Sequence, residues 1–178
     1  KTTGTFESSD ATMNQIFKNA WWGISGNYKG MPIDCPQRNE RQPWLGDRTT
    51  GAYGESFLFD NQTLYAKWLD DIKYSQTQDG GLPDVAPAFW RYYGDNVTWP
   101  GTYITVADML YQQFGDEKVV EKQYPYMKKW MDYMEENYLV DDIMTKDKYG
   151  DWCVPPESLE LIRSKDPARL TDGELISS

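Results

Sequence analysis

Apolar residues recur at helical spacing in five stretches of this chain, and two long loops rich in proline and glycine interrupt them. Met13, Ile16, Phe17, Ala20 and Ile24 mark the first, predicted from about 10 to 23, with Asp10 as N-cap and Gly23 and Gly26 at its end. Spacing resumes after Asp47 with Tyr53, Phe57 and Leu58, and again near Asn61 with Leu64, Trp68 and Ile72. Ile104, Ala107, Leu110, Tyr111 and Phe114 predict a further helix closed by Gly115. Val120, Tyr124, Met127, Met131 and Met134 mark the last. Pro125 splits it into a short helix and a main one starting at the proline, whose missing N–H costs nothing there. No useful strand alternation or tandem repeat interrupts this order, so the fold class is all-α. Residues 27–46 and 79–100 are the long loops, and 139–170 read as loop. Helices joined alternately by short turns and long loops form stacked hairpins, which gather the long loops, and the site, at one end. Thr171 and Glu174 form a capping box, yet the chain stops at Ser178, as a segment of something longer would.

Composition removes whole classes of function. The net charge of −10 argues against nucleic acid and anionic membranes as partners, because phosphate binding needs cations. No apolar run approaches the ~20 residues that span a bilayer. Histidine is absent, which excludes a Ser-His-Asp triad, a Cys-His pair and histidine-ligated metals within the chain. Cys35 and Cys153, 118 positions apart, make neither a disulfide framework nor a zinc site, and are expected as unpaired small core residues. No cofactor or metal is expected. The N-terminus shows no basic start and no apolar signal segment. The 8 tryptophans and 13 tyrosines, set among many carboxylates, lean towards a carbohydrate site, because such rings stack on sugars.

The densest chemistry lies in DCPQRNERQPWLGD, Asp34 to Asp47. It carries Asp34, Arg38, Glu40, Arg41, Trp44 and Asp47 without regular structure. A carboxyl beside an aromatic wall has its pKa raised and serves as a general acid, whereas nearby cations push the other way. Asp34 and Asp47 can accept hydrogen bonds from sugar hydroxyls, and Trp44 offers a stacking face. Residue types alone favour a salt-bridged loop that holds helix ends together, because Arg-Glu clusters are common in loops.

This loop resembles the signature of the bacterial α-L-rhamnosidases, glycoside hydrolase family seventy-eight, which reads approximately D-C-P-Q-R-D-E-R-x-G-W-x-G-D. The likeness continues collinearly through NAWWGISGNYKGMPIDCPQR, FDNQTLYAKWLDDIKYSQTQDGGLPDVAP, LYQQFGDEKVVEKQYPYMKKWMDYM and YGDW. The resemblance implies an (α/α)6 toroid of six helical hairpins, of which this chain covers roughly the first half. It implies an exo-acting hydrolase that releases terminal α-L-rhamnose with inversion, which requires two carboxyl groups ~6.5–9.5 Å apart. It makes Glu40 the general acid and gives Asp34, Trp44 and Asp47 to sugar binding. Arg38 shapes the pocket and Trp99 walls it. The general base is implied to lie downstream of this chain, in later barrel helices. The implied partners are a rhamnose-containing oligosaccharide or glycoside and the remainder of the same barrel. The implied setting is bacterial, periplasmic or extracellular in preference to cytoplasmic.

The chain departs from the family at Asn39, where Asp is usual, and at Pro43, where Gly is usual. Trp99-Pro100-Gly101-Thr102 stands where the family often has W-G-D-A. These departures keep open an exo-glycosidase of the same fold for another sugar, and loss of the base would leave a carbohydrate-binding half-barrel. Asp84, among prolines, fits the barrel mouth or a helix-to-helix turn. Trp90 and Trp152 read as core residues in preference to cleft walls. DKYGD at 147–151 reads as a turn, since it lacks the spacing of a calcium loop. Asn61 and Asn96 head glycosylation sequons.

Overall fold

The computed structural model describes residues 1–150. Five helices run in order: α1 (Ala11–Gly26), α2 (Gly46–Leu58), α3 (Gln62–Ser75), α4 (Thr102–Phe114) and α5 (Glu117–Tyr138). Short links join α2 to α3 and α4 to α5, and long loops join the rest. The hairpin alternation expected from sequence is therefore the observed architecture. Two-residue strands, β1 (Leu139–Val140) and β2 (Ile143–Met144), pair antiparallel after α5. Asp141 and Asp142 turn between them at φ of 50° and 62°. Two aspartates in the left-handed region make a tight hairpin without the Asn-Gly that signals one. No described helix is long and apolar enough to cross a membrane.

Helix ends follow their sequence signals in most places. Asp10 caps α1 by accepting from Thr12 N at 2.7 Å and Met13 N at 3.3 Å, a cap worth about 1 kcal/mol. Gly115, at φ 65°, ends α4 as expected. Gly23 does not stop α1, which runs on to Gly26, its last residue, and is capped by Asn27. Glycine tolerates αR backbone and lowers helix stability without breaking it.

Two expectations about packing are corrected. Pro125 lies inside α5, which is one continuous helix. The missing N–H falls on an exposed face, where the orphaned carbonyl is open to solvent, while Gln123, Met127, Trp130 and Met134 form an unbroken buried stripe. Met131 and Tyr124, expected on that stripe, are exposed. Likewise α1 buries no residue, and its Met13 and Ile16 lie open.

The core forms where α4 packs against α2, α3 and α5. Tyr103, Val106, Met109 and Leu110 of α4 meet Tyr65, Trp68, Leu69 and Ile72 of α3. Trp68 Nε1 donates to Ala86 O at 2.6 Å, which ties the second long loop to α3. Cys35 is buried and carries no disulfide. Cys153, Trp152 and the Thr171–Glu174 capping box lie outside the described residues.

Polar ties set the α3–α5 register. Asp70 accepts from Lys122 at 2.7 Å, Gln123 at 2.9 Å and Lys73 at 3.1 Å. Burial alone raises this carboxyl, but the three donors outweigh it and hold the pKa at about 2. The folded value lies below the unfolded value of about 3.9. The stabilisation is therefore complete above the unfolded pKa and is lost as pH falls from about 4 towards 2. Asp70→Asn is expected to cost ~1–2 kcal/mol at neutral pH, allowing for partial solvent screening. It should also flatten the fall in stability across the acid window, as checked by denaturant unfolding against pH.

Candidate active site

The two long loops pair with each other at one end of the helices. Trp44 bridges Val85 antiparallel. Leu45 N donates to Asp84 O at 2.9 Å and Ala86 N to Pro43 O at 3.1 Å. Thr102 Oγ1 donates to Leu45 O at 2.6 Å, which fixes the start of α4 against the start of α2. The signature loop thus ends in a fixed frame, and Asp47 falls in the first turn of α2, where the helix dipole favours an anion.

A cavity of about 290 Å³ opens here, lined by Asp34, Arg38, Glu40, Trp44, Asp47, Trp99 and Tyr149. All six residues singled out from the sequence line it. Trp44 Nε1 donates to Glu40 Oε1 at 2.8 Å, and Arg38 Nη2 lies 2.7 Å from Glu40 Oε2. The carboxylate is thus aimed by one donor on each oxygen. Arg38 also reaches Asp34 Oδ2 at 3.2 Å, and Gln42 N donates to Asp34 Oδ1 at 2.8 Å. Asp34 therefore closes the loop on itself as well as facing the cavity, a structural duty that its residue type did not reveal.

Asp47 is exposed at the cavity, and desolvation by the surrounding walls raises its carboxyl pKa. The Arg48 charge opposes that shift, and the Asp34 and Glu40 charges add to it. Trp99 lies flat against Gly46, where a Cβ would fall 2.5 Å from the indole Cε2, so only glycine admits this wall. Gly101 occupies the place of the aspartate in the W-G-D-A pattern. A Cβ there would meet Val97 O at 2.8 Å, so this backbone does not admit the missing carboxylate.

The base of the loop is held by a buried ion pair. Arg48 pairs with Glu55, and its Nη2 donates to Ile33 O at 2.7 Å, next to Asp34. Tyr28 and Tyr65 donate to Glu55 Oε2 at 2.7 and 2.5 Å. Both partners are almost wholly buried. Arg48 lies just past the signature loop, in the first turn of α2, and holds its base through Ile33 O, whereas Arg38 within the loop pairs with Asp34 and Glu40 and faces the pocket.

Among the described residues, Asp34, Cys35 and Glu40 bring three potential metal-ligating atoms within 4.8 Å of one another. The Arg38 guanidinium already pairs with both carboxylates.

The family model for the bacterial α-L-rhamnosidase six-hairpin glycosidase domain matches residues 1–178. The chain belongs to this family. An α-L-rhamnosidase of Streptomyces avermitilis is 34% identical over 84% of the chain. One of an Alteromonas strain is 31% identical over 86% of it. The chain spans only 14% and 17% of those relatives. The solved α-L-rhamnosidase of Dictyoglumus thermophilum matches with a TM-score of 0.82 and 39% identity, over 87% of this chain and 17% of that one. The Streptomyces avermitilis enzyme complexed with L-rhamnose matches with a TM-score of 0.80 and 33% identity, over 85% of this chain and 15% of that one. The rhamnosidase fold read from the signature loop is thus the fold observed, as a portion of a six-hairpin domain.

Tyr149, which lines the cavity, and Tyr92, which stacks on its wall Trp44, escaped the sequence reading. Tyr149 lines the cavity from the DKYGD turn, whose Asp147 Oδ1 accepts from Tyr149 N at 3.1 Å and Gly150 N at 3.0 Å. The motif reads as a turn and is one, but nothing in its spacing announces a pocket wall. Tyr92 stacks on Trp44, with centroids 5.6 Å apart and planes 12° from parallel. Trp90, expected in the core, is 43% exposed and meets Tyr92 edge-on. Asn61 and Asn96 are buried, so neither sequon offers its amide to a glycan.

Proposed function

We propose that this chain is the N-terminal part of the catalytic toroid of an inverting, exo-acting α-L-rhamnosidase, with Glu40 as general acid. The observation that carries the reading is the Glu40 carboxylate, fixed by Trp44 and Arg38 inside an aromatic-walled cavity. The rhamnosidase relatives, one holding L-rhamnose, support the sugar.

In this reading Trp44, Trp99 and Tyr149 offer apolar faces to the sugar ring, while Asp34 and Asp47 accept from its hydroxyls. Glu40 gives its proton to the glycosidic oxygen as the bond to the anomeric carbon breaks. A water attacks that carbon from the opposite face, deprotonated by a carboxylate supplied from outside residues 1–178. The separation suited to such a pair is about 6.5–9.5 Å, which leaves room for the water.

A panel of p-nitrophenyl glycosides tests the class and the sugar together, using the complete protein that contains this chain. The α-L-rhamnoside should be cleaved fastest, by up to about 10²-fold for each buried polar group that another sugar leaves unpaired. A different best glycoside would transfer the site to another sugar, and no cleavage at all would contradict the enzyme reading.

A further inference from the structure

We propose that Asp84 is a positioning residue for the sugar pocket, one carboxylate that sets the walls Trp99 and Tyr149 against the signature loop. The inference rests on the cavity being the sugar site. Asp84 is fully buried and does not line the cavity, so it acts through other residues. Its Oδ2 accepts from Tyr149 OH at 2.7 Å. Its Oδ1 accepts from Asn96 Nδ2 at 2.7 Å, and Asn96 Oδ1 in turn accepts from Trp99 N at 2.9 Å. The rings of Trp99 and Tyr149 then meet with centroids 4.4 Å apart.

The backbone of the same residue reaches the third wall. Asp84 O accepts from Leu45 N, next to Trp44, and Asp84 N donates to Tyr92 O at 2.7 Å. Tyr92 is the ring stacked on Trp44. Each aromatic wall is thus a step or two from Asp84, although the walls come from three separate stretches of sequence.

A simple ion pair does not account for this arrangement. Lys148 Nζ lies 3.9 Å from Oδ2 on a side chain 45% exposed, a weak partner for a carboxylate that is costly to bury. Burial raises the Asp84 pKa, against the hydrogen bonds from Tyr149 and Asn96. The donors that do satisfy it are Tyr149, itself a wall, and the amide that orients Trp99. Hydrogen bonds to a buried carboxylate are short, directional and stronger than neutral ones, which suits them to fixing ring positions.

Titration of L-rhamnose into the complete protein, with KM and kcat on an aryl α-L-rhamnoside, tests the proposal on Asp84→Ala, Asp84→Asn and Tyr149→Phe. Asp84→Ala should weaken rhamnose binding and raise KM about tenfold. It should lower kcat less, because Glu40 is held by Trp44 and Arg38. Asp84→Asn can accept from Asn96 and donate to Tyr149, and should restore most of the lost affinity. Tyr149→Phe should lose part of it, and adding it to Asp84→Ala should cost less than about twofold more, since both changes break one link. Wild-type affinity in Tyr149→Phe overturns the proposal whether or not Asp84→Ala folds, and so does an equal loss in folded Asp84→Asn and Asp84→Ala.

Failure of the rhamnose reading is separable, because the wild type would then take no rhamnose. Crystal structures of the folded variants decide the positioning role in that case. Displacement of the Tyr149 or Trp99 ring by about 1 Å, enough to matter in a site, supports it. Rings unmoved in every variant overturn it.

Discussion

Glu40→Gln in the complete protein is expected to lower turnover of an α-L-rhamnoside with a poor leaving group by ~10²–10⁴-fold, the range that general acid catalysis supplies. That loss corresponds to about 3–5 kcal/mol in the barrier. Affinity for free L-rhamnose should change little. The amide is isosteric and its oxygen still accepts from Trp44 Nε1. Its NH2 group faces Arg38 and cannot accept, but Arg38 keeps its bond to Asp34. The variant lacks the transferable proton while Trp44 and the Arg38–Asp34 pair still hold the loop, so the defect should fall on kcat and spare sugar binding. Steady-state kinetics beside titration with rhamnose separates the two. Wild-type turnover would remove Glu40 from the chemistry, and lost sugar binding would make it a structural residue of the loop.

Glu55→Ala is expected to have the largest effect on stability. It strands Arg48, almost wholly buried, and removes the acceptor of Tyr28 and Tyr65. Breaking a buried pair by deleting one partner typically costs ~3–5 kcal/mol, because the other charge stays in the interior unpaired. That is a large part of the ~5–15 kcal/mol that holds a domain folded. In a differential scan of the complete protein, the transition that abolishes rhamnose binding should fall by on the order of 10 °C. Arg48 also holds Ile33 O, so the loosening starts beside Asp34. Glu55→Gln keeps an acceptor for the tyrosines and should fall between the two. An unchanged transition in Glu55→Ala would mean that water or a shifted side chain satisfies Arg48.

The sequence made the pocket legible to the extent that its chemistry is local. Asp34, Arg38, Glu40, Trp44 and Asp47 sit in one run, and a loop of that length cannot scatter them far. Trp99 comes from a distant loop and was reached only through resemblance to the rhamnosidases. Tyr149 has no spacing that marks a site, and Asp84, among prolines, fits the barrel mouth and a helix-to-helix turn alike. Their roles arise from the pairing of Pro43–Leu45 with Asp84–Ala86, a tertiary contact that no local pattern encodes.

The helices were legible for similar reasons. The Asp10 cap and the Gly115 stop are local signals, and both hold. Pro125 misled because a proline usually opens a helix. Here a buried stripe from Gln123 to Met134 carries the helix past it, and the lost hydrogen bond faces solvent. Trp90 misled because tryptophan is usually buried, whereas this one sits at the edge of the Trp44–Tyr92 stack. The apolar spacing of α1 identified a helix correctly but not a buried face.

The central claim is that Glu40 protonates the departing oxygen, and its most direct test is leaving-group dependence. Wild-type and Glu40→Gln forms of the complete protein are compared on a dinitrophenyl and an unsubstituted phenyl α-L-rhamnoside. A dinitrophenolate leaves without a proton, so the variant should retain near-wild-type turnover on the first and lose ~10²–10⁴-fold on the second. Equal losses on both substrates would contradict the role assigned to Glu40.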